Sequence, residues 1–267
     1  MTILDDSYSD LALPADTMAL LQEFRDQKSE SDRLETATAG PSAETRQPAI
    51  SYPTYLELFK PAYRLSQFWY AQTTAESLAG EVARMCNPQT RLAFLCCPSG
   101  YAAFMALSKC TLSPEQVYLF EYDERFKRLA HSGFVKYDLN EPSEILLSQA
   151  SESLQNAMDI IVVDPPYHAQ ASQRKISRFL PTLLRGKASK LIVLTGTSMG
   201  AHMEDIYMTA ELQQSLGNFG ETREGTKRMR LTRLKVEHGG VGGVGNQLQN
   251  PYSCWTSFEG SGAFTAI

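Results

Sequence analysis

Asp164-Pro165-Pro166-Tyr167 follows directly on the apolar run Ile160 to Val163. A carboxylate, a backbone carbonyl and an aromatic ring are therefore placed side by side. The carboxylate of Asp164 can accept one N–H of an amino group and the carbonyl of Pro165 another, which leaves the nitrogen lone pair aimed in one direction. Tyr167 offers a flat face to a planar base or to the chain that carries an amine. Neither proline has an N–H to give to a strand ladder, so the strand stops here and the turn is stiff. The carboxyl end of a buried strand is where open α/β sheets place their ligands. The bland alternative is a turn and nothing more. At average composition this tetrapeptide arises by chance in about one chain of this size in a thousand, and its place after an apolar strand counts further against chance.

Other polar groups fall at equivalent positions. Residues 91–97 (RLAFLCC) read as a strand, and Pro98-Ser99-Gly100 as a turn into a helix over Tyr101–Ser108. Nucleotide-like cofactors meet a helix N-terminus at such a turn, although a single glycine is a weak signal by itself. Residues 117–122 (VYLFEY) form the next strand, with Glu121 and Tyr122 at its end and Asp123 after it. Glu121 lies 21 positions beyond Gly100, close to the ~20 that separate the turn from a ribose-binding acid in dinucleotide folds. A third strand, Phe134 to Tyr137, ends at Asp138, an acid that could meet an adenine amino group. Upstream, Gln67-Phe68-Trp69-Tyr70 is an aromatic cluster before a helix expected to start at a Thr73 cap, with Glu76 three residues on. It reads equally as core or as a pocket wall.

The elements that carry these groups alternate. Strands at 91–97, 117–122, 134–137, 160–163 and 190–195 are separated by helical segments, among them 141–157 and 170–185, and a loop follows at Gly196. Two final strands, 228–237 and 252–258, have no helix between them and are expected to pair as an antiparallel hairpin. The fold class is α/β: a Rossmann-like, seven-strand, mostly parallel sheet with helices on both faces. An N-terminal helix over 11–30 opens at Pro14, and a Ser/Thr/Pro-rich linker covers 29–49, dividing the chain into 1–50 and a 51–267 domain. The glycine-rich 239–245 segment is a flexible hairpin loop, because it neither opens a helix nor leads into Lys-Ser/Thr.

Composition narrows the partners. A net charge of −5 and a pI near 5.5 argue against gripping a nucleic-acid backbone, which calls for a basic patch. The basic run from Thr226 to Lys235 reads as a strand with a solvated face. No apolar run reaches the ~20 residues that span a bilayer, and the acidic start Met1-Thr-Ile-Leu-Asp-Asp is no secretory signal. Cys86, Cys96, Cys97, Cys110 and Cys254 show no disulfide framework and no metal spacing, which suits a reducing compartment. No metal site is indicated, and monomer is the default expectation.

With these residues in hand, Asp164 to Tyr167 resembles the motif of amino-group methyltransferases that use S-adenosylmethionine. The chain as a whole resembles the elongation factor 1-alpha lysine methyltransferases, formerly described as N6-adenine methyltransferases. Leu13 to Phe24, Leu65-Ser-Gln-Phe-Trp-Tyr70, Cys97-Pro-Ser99, Tyr118 to Asp123, Asp159 to Tyr167, Leu184-Arg-Gly-Lys187 and Leu194-Thr-Gly196 carry the likeness. The resemblance implies a class I methyltransferase fold, S-adenosylmethionine as cofactor and a cytoplasmic protein substrate, elongation factor 1-alpha. It implies that Glu121 holds the ribose, that Asp138 lies by the adenine, and that Asp164, Pro165, Pro166 and Tyr167 form the amine site. Pro98, Ser99, Gly100 and Tyr122 would line the cofactor site, and Phe68, Trp69 and Tyr70 would close over it. The 239–245 loop and the long 29–49 linker depart from the family pattern and leave the choice of lysine open.

Lysine poses a problem that adenine does not. Its ammonium has a pKa of ~10.4 and no lone pair. Desolvation beside Tyr167 would lower that pKa, while Asp164 would favour the cation; the expectation is that Asp164 mainly orients. Two other readings remain: adenine-N6 methylation of DNA or RNA, with a flipped base held by the same tetrapeptide, and a methyltransferase-like fold kept as a binding module.

Overall fold

The computed structural model describes residues 50–108, 112–141, 153–166, 169–216, 228–239 and 251–267. The N-terminal helix and linker expected over 11–49, most of the 141–157 connection, Tyr167, and all but the first residue of the 239–245 loop lie outside the described residues.

Four short strands begin the sheet. β1 (Leu92–Leu95), β2 (Val117–Glu121) and β4 (Ile160–Val163) are almost continuously buried, and β3 (Phe134–Lys136) is more open. Near-continuous apolar runs are what a parallel sheet covered on both faces requires. β5 (Lys190–Gly196) follows, then β6 (Arg230–Leu231) and β7 (Tyr252–Thr256). The order is β3-β2-β1-β4-β5-β7-β6, with β1 to β5 parallel and β7 antiparallel to both β5 and β6. Sequence order reverses direction between β1 and β4, which opens a crevice at their carboxyl ends.

The last two strands correct the expectation in detail. They pair antiparallel, but β7 inserts between β5 and β6. The 228–237 strand shrinks to two ladder residues. Beyond them the backbone is shared out: the Arg233 N–H goes to Thr265, Thr232 bridges Ala266, Val236 bridges Tyr252 and His238 bridges Tyr70. Competing partners thus take the groups that a longer ladder would need.

Helix starts differ for similar reasons. α1 (Tyr52–Leu58) is an additional helix; Ser51 caps it by accepting from the Thr54 N–H. Tyr52, Tyr55 and Phe59 stack along it, and Trp69 and Phe126 pack beside them. α2 (Gln72–Met85) begins after Ala71, not at a Thr73 cap. Tertiary contacts override the local signal: the Ala71 N–H donates to the Glu237 carbonyl, and Thr74 Oγ1 bonds the backbone at Lys235 and Glu237. α3 (Pro98–Met105) starts at Pro98, the first-turn position proline favours. α4 (Lys127–Ala130) leads to β3, α5 (Gln170–Leu183) to β5, and α6 (Met203–Tyr207) and α7 (Ala210–Ser215) come after β5. Among the described residues no helix is long and apolar enough to cross a membrane.

Candidate active site

Parallel register fixes the site. Leu95 of β1 is level with Phe120 of β2 and Val163 of β4. The next residues, Cys96, Glu121 and Asp164, therefore emerge side by side at the carboxyl edge. The Cys96 N–H donates to the Phe120 carbonyl (2.8 Å) and the Asp164 N–H to the Leu95 carbonyl (3.1 Å), so the ladder is held up to the last residue. A cavity of about 260 Å³ opens there. Cys96 has φ of 54° and Ser66, across the cavity, 56°. Both are left-handed conformations that cost a residue with a Cβ, and such strain clusters at binding sites.

The carboxylates are held differently. Asp164 is open to the cavity on one side and enclosed on the others. Tyr70 Oη donates to its Oδ2 at 2.5 Å. Burial and the charge of Glu121 push the Asp164 carboxyl up to about 7, against the pull of the Tyr70 hydrogen bond. Burial likewise raises Glu121 to about 7, although the backbone N–H groups of Asp123 and Tyr122 and the Gln67 amide favour its anion. Gln67 Nε2 reaches both Glu121 Oε1 (3.4 Å) and Asp123 Oδ2 (3.1 Å). Burial pushes Asp123 up too, but the hydrogen bonds and charge of Arg125 outweigh it and hold that carboxyl low.

These residues fit a nucleoside-bearing cofactor. A buried acid at the end of β2 faces a cavity, Asp138 lines it from the end of β3, and the buried Tyr137 hydroxyl has no hydrogen-bond partner among the described residues. The arrangement offers acceptors for sugar hydroxyls at one end and a carboxylate for an amine at the other.

Comparison with known proteins agrees with that chemistry. Residues 62–260 match the family model described as "Probable N6-adenine methyltransferase". The chain belongs to this family. It is a methyltransferase. Protein-lysine N-methyltransferase EFM5 of Saccharomyces cerevisiae is 29% identical over 215 residues, 76% of this chain and 75% of that protein. EEF1A lysine methyltransferase 1 of Mus musculus is 32% identical over 197 residues, 74% of this chain and 75% of that one. Among solved structures, the branched-chain polyamine synthase of Thermus thermophilus aligns with a TM-score of 0.51 at 12% identity, covering 83% of this chain and 68% of that one. That likeness is one of fold.

Within this methyltransferase, the cavity brings together Phe68, Trp69, Pro98, Ser99, Glu121, Tyr122, Asp138, Asp164 and Pro166 of the sequence candidates. It does not bring Tyr70, Gly100 or Pro165 to its wall. Tyr70 is fully buried and reaches Asp164 from behind. Gly100 is packed so closely that a Cβ would meet Cys97 Sγ at 2.8 Å and the Phe94 ring at 3.1 Å, so its smallness serves packing. The side chain of Pro165 is buried in its turn. Trp69 is both core and wall: its Nε1 donates to the Phe59 carbonyl at 2.6 Å. Ser66, Cys96, Asn140, Ser172, Lys175 and Tyr252 also line the cavity and were not singled out as candidates. Gln67 could have been noticed as an amide set among aromatics; the others carry no local signal.

Proposed function

We propose that this methyltransferase moves a methyl group from S-adenosylmethionine to the side-chain amine of a lysine in translation elongation factor 1-alpha. The observation that carries the reading is the pairing of Glu121 and Asp164 around one cavity: an acid placed for a sugar and an acid placed for an amine. The curated names of the yeast and mouse relatives support lysine, and elongation factor 1-alpha in the mouse case, as the acceptor. An acidic chain, at −5, suits a basic protein segment better than a phosphate backbone.

When bound, S-adenosylmethionine supplies a methyl already activated on sulfonium. Glu121 would take the ribose hydroxyls and Asp138 would sit by the adenine, with Phe68 and Trp69 as walls. Asp164 would accept an N–H of the acceptor amine and help aim its lone pair. Positioning then supplies most of the rate. The ammonium form of lysine has no lone pair, and desolvation in the cavity disfavours its charge, while the rings of Phe68 and Tyr252 would attract it. Asp164 favours the cation, so it orients the amine and leaves the proton to be lost toward solvent. Burial is what keeps this charge effect in check.

Labelled methyl transfer to purified elongation factor 1-alpha and to an adenine-containing oligonucleotide, run in parallel, tests the proposal. Label on the protein supports it. Label on the oligonucleotide alone moves the assignment to the adenine reading that the family description preserves.

A further inference from the structure

Asp164 has two oxygens, and one of them is already engaged. Tyr70 Oη holds Oδ2 at 2.5 Å across 94 residues of sequence. Nothing about Tyr70 is loose. Its N–H donates to Ser99 Oγ (3.4 Å) and its carbonyl accepts from Tyr52 Oη (2.8 Å). Its backbone bridges His238, and the neighbouring Ala71 and Trp69 bond to Glu237 and Gly239. The ring packs against the His238 imidazole, with centroids 5.3 Å apart. Burial pushes the phenol far above its ordinary range, and the charge of Asp164 adds to this, so Tyr70 stays a donor at every working pH.

We propose that Tyr70 is a positioning residue for the transfer step: by occupying Oδ2 it fixes the plane of the Asp164 carboxylate and leaves Oδ1 to orient the acceptor amine. The inference rests on the amine-methylation reading of this site and adds a residue to it. Without the bond, the carboxylate would be free to rotate or to take up a proton. Among the described residues, Tyr70 and Glu121 on β2 act on Asp164, and the charge of Asp164 in turn helps raise Tyr70, Cys96 and Cys97 after β1, Tyr207 on α6 and Tyr252 on β7. Of these, Tyr70 is the one whose hydrogen bond favours the Asp164 anion, against burial and the charge of Glu121.

Tyr70→Phe keeps the ring and removes only the hydroxyl. Two readouts are needed. The first is the Asp164 carboxyl titration followed by carbon-13 NMR in the ligand-free protein, which needs no acceptor. The second is methyl transfer at saturating S-adenosylmethionine. The proposal expects the carboxyl to titrate at higher pH in Tyr70→Phe and kcat to fall about 10- to 100-fold at neutral pH. Part of the loss should be recovered at alkaline pH, with cofactor affinity unchanged. An unchanged titration overturns the proposal, and so does an unchanged kcat. Absence of transfer to elongation factor 1-alpha by the wild-type enzyme would instead remove the substrate reading, and the titration would still decide whether Tyr70 holds Asp164.

Discussion

Glu121 and Asp164 end two strands that flank β1, and the charge of the first, after burial, helps push the carboxyl of the second up to about 7. Two acids so placed, Glu121 buried and Asp164 half-buried, are a stability cost that the fold carries for the sake of its site.

That cost gives the first prediction. Asp164 titrates near 7 in the fold and near 3.8 when unfolded. The folded state therefore holds its proton more tightly, and ionisation destabilises the fold from about pH 4 upward, fully so above pH 7. Asp164→Asn should raise Tm by a few degrees at pH 8, with the gain fading as pH falls from 7 toward 4. The same variant should lose about 100-fold or more in methyl transfer, because the amide turns a donor toward the amine. Thermal melts at pH 8 and pH 5, read beside a transfer assay, check both halves.

Activity should follow the same ionisation. A protonated Asp164 is a much weaker acceptor for the amine N–H than the carboxylate, and the lysine amine also needs a high pH. The pH profile of kcat should therefore rise through about 7 and keep rising toward the alkaline side, with no fall until the enzyme unfolds. A bell centred below 7 would be the contrary result.

The ribose contact proposed for Glu121 gives a prediction about the cofactor. Glu121→Gln should weaken S-adenosylmethionine binding by about 10- to 100-fold, as expected for the loss of charge-assisted hydrogen bonds. Once the cofactor is saturating, kcat should return to within a few-fold of wild type. Calorimetry and kinetics at two cofactor concentrations separate the two effects.

Gln67 has no chemistry of its own, yet its amide bonds Glu121, Asp123, the Ala62 N–H and Arg125. Gln67→Leu fits the volume and strands those partners. A loss of about 2–3 kcal/mol is expected, measured by denaturant midpoint, together with weaker cofactor binding.

Gly100→Ala separates packing from binding. Its Cβ would press on Cys97 Sγ and Phe94, and Cys97 Sγ is itself 3.9 Å from Tyr70 Oη. The variant should lose about 1–3 kcal/mol of stability, with cofactor affinity changed much less than in Glu121→Gln.

The parallel half of the sheet was legible because it is buried on both faces. LAFL, VYLF and IIVV are continuous apolar runs; the second and third stop at an acid, Glu121 and Asp164, while the first runs on into Cys96 and Cys97 beyond the end of its strand. The antiparallel end was harder to read. Arg230 and Leu231 are an edge pair with mixed exposure, and the run that contains them gives its backbone to several partners. At the site, Glu121, Asp138 and Asp164 could be found because each terminates a strand. Tyr70 could be flagged only as one aromatic among several. Its bond to Asp164 joins distant segments, and nothing in the local pattern of Gln67-Phe-Trp-Tyr70 encodes it. Lys175 and Tyr252 reach the cavity for the same reason, through the packing of α5 and β7 onto the carboxyl edge.

The central claim is that Asp164 orients a lysine amine of elongation factor 1-alpha. Peptide mass spectrometry of that factor, after reaction with S-adenosylmethionine and either wild-type enzyme or Asp164→Asn, tests it most directly. The account predicts methyl mass on a defined lysine with the wild type and its near-complete loss with the variant. Methyl mass that persists at the wild-type rate in Asp164→Asn, or a factor left unmodified while an adenine oligonucleotide gains the methyl, would contradict it.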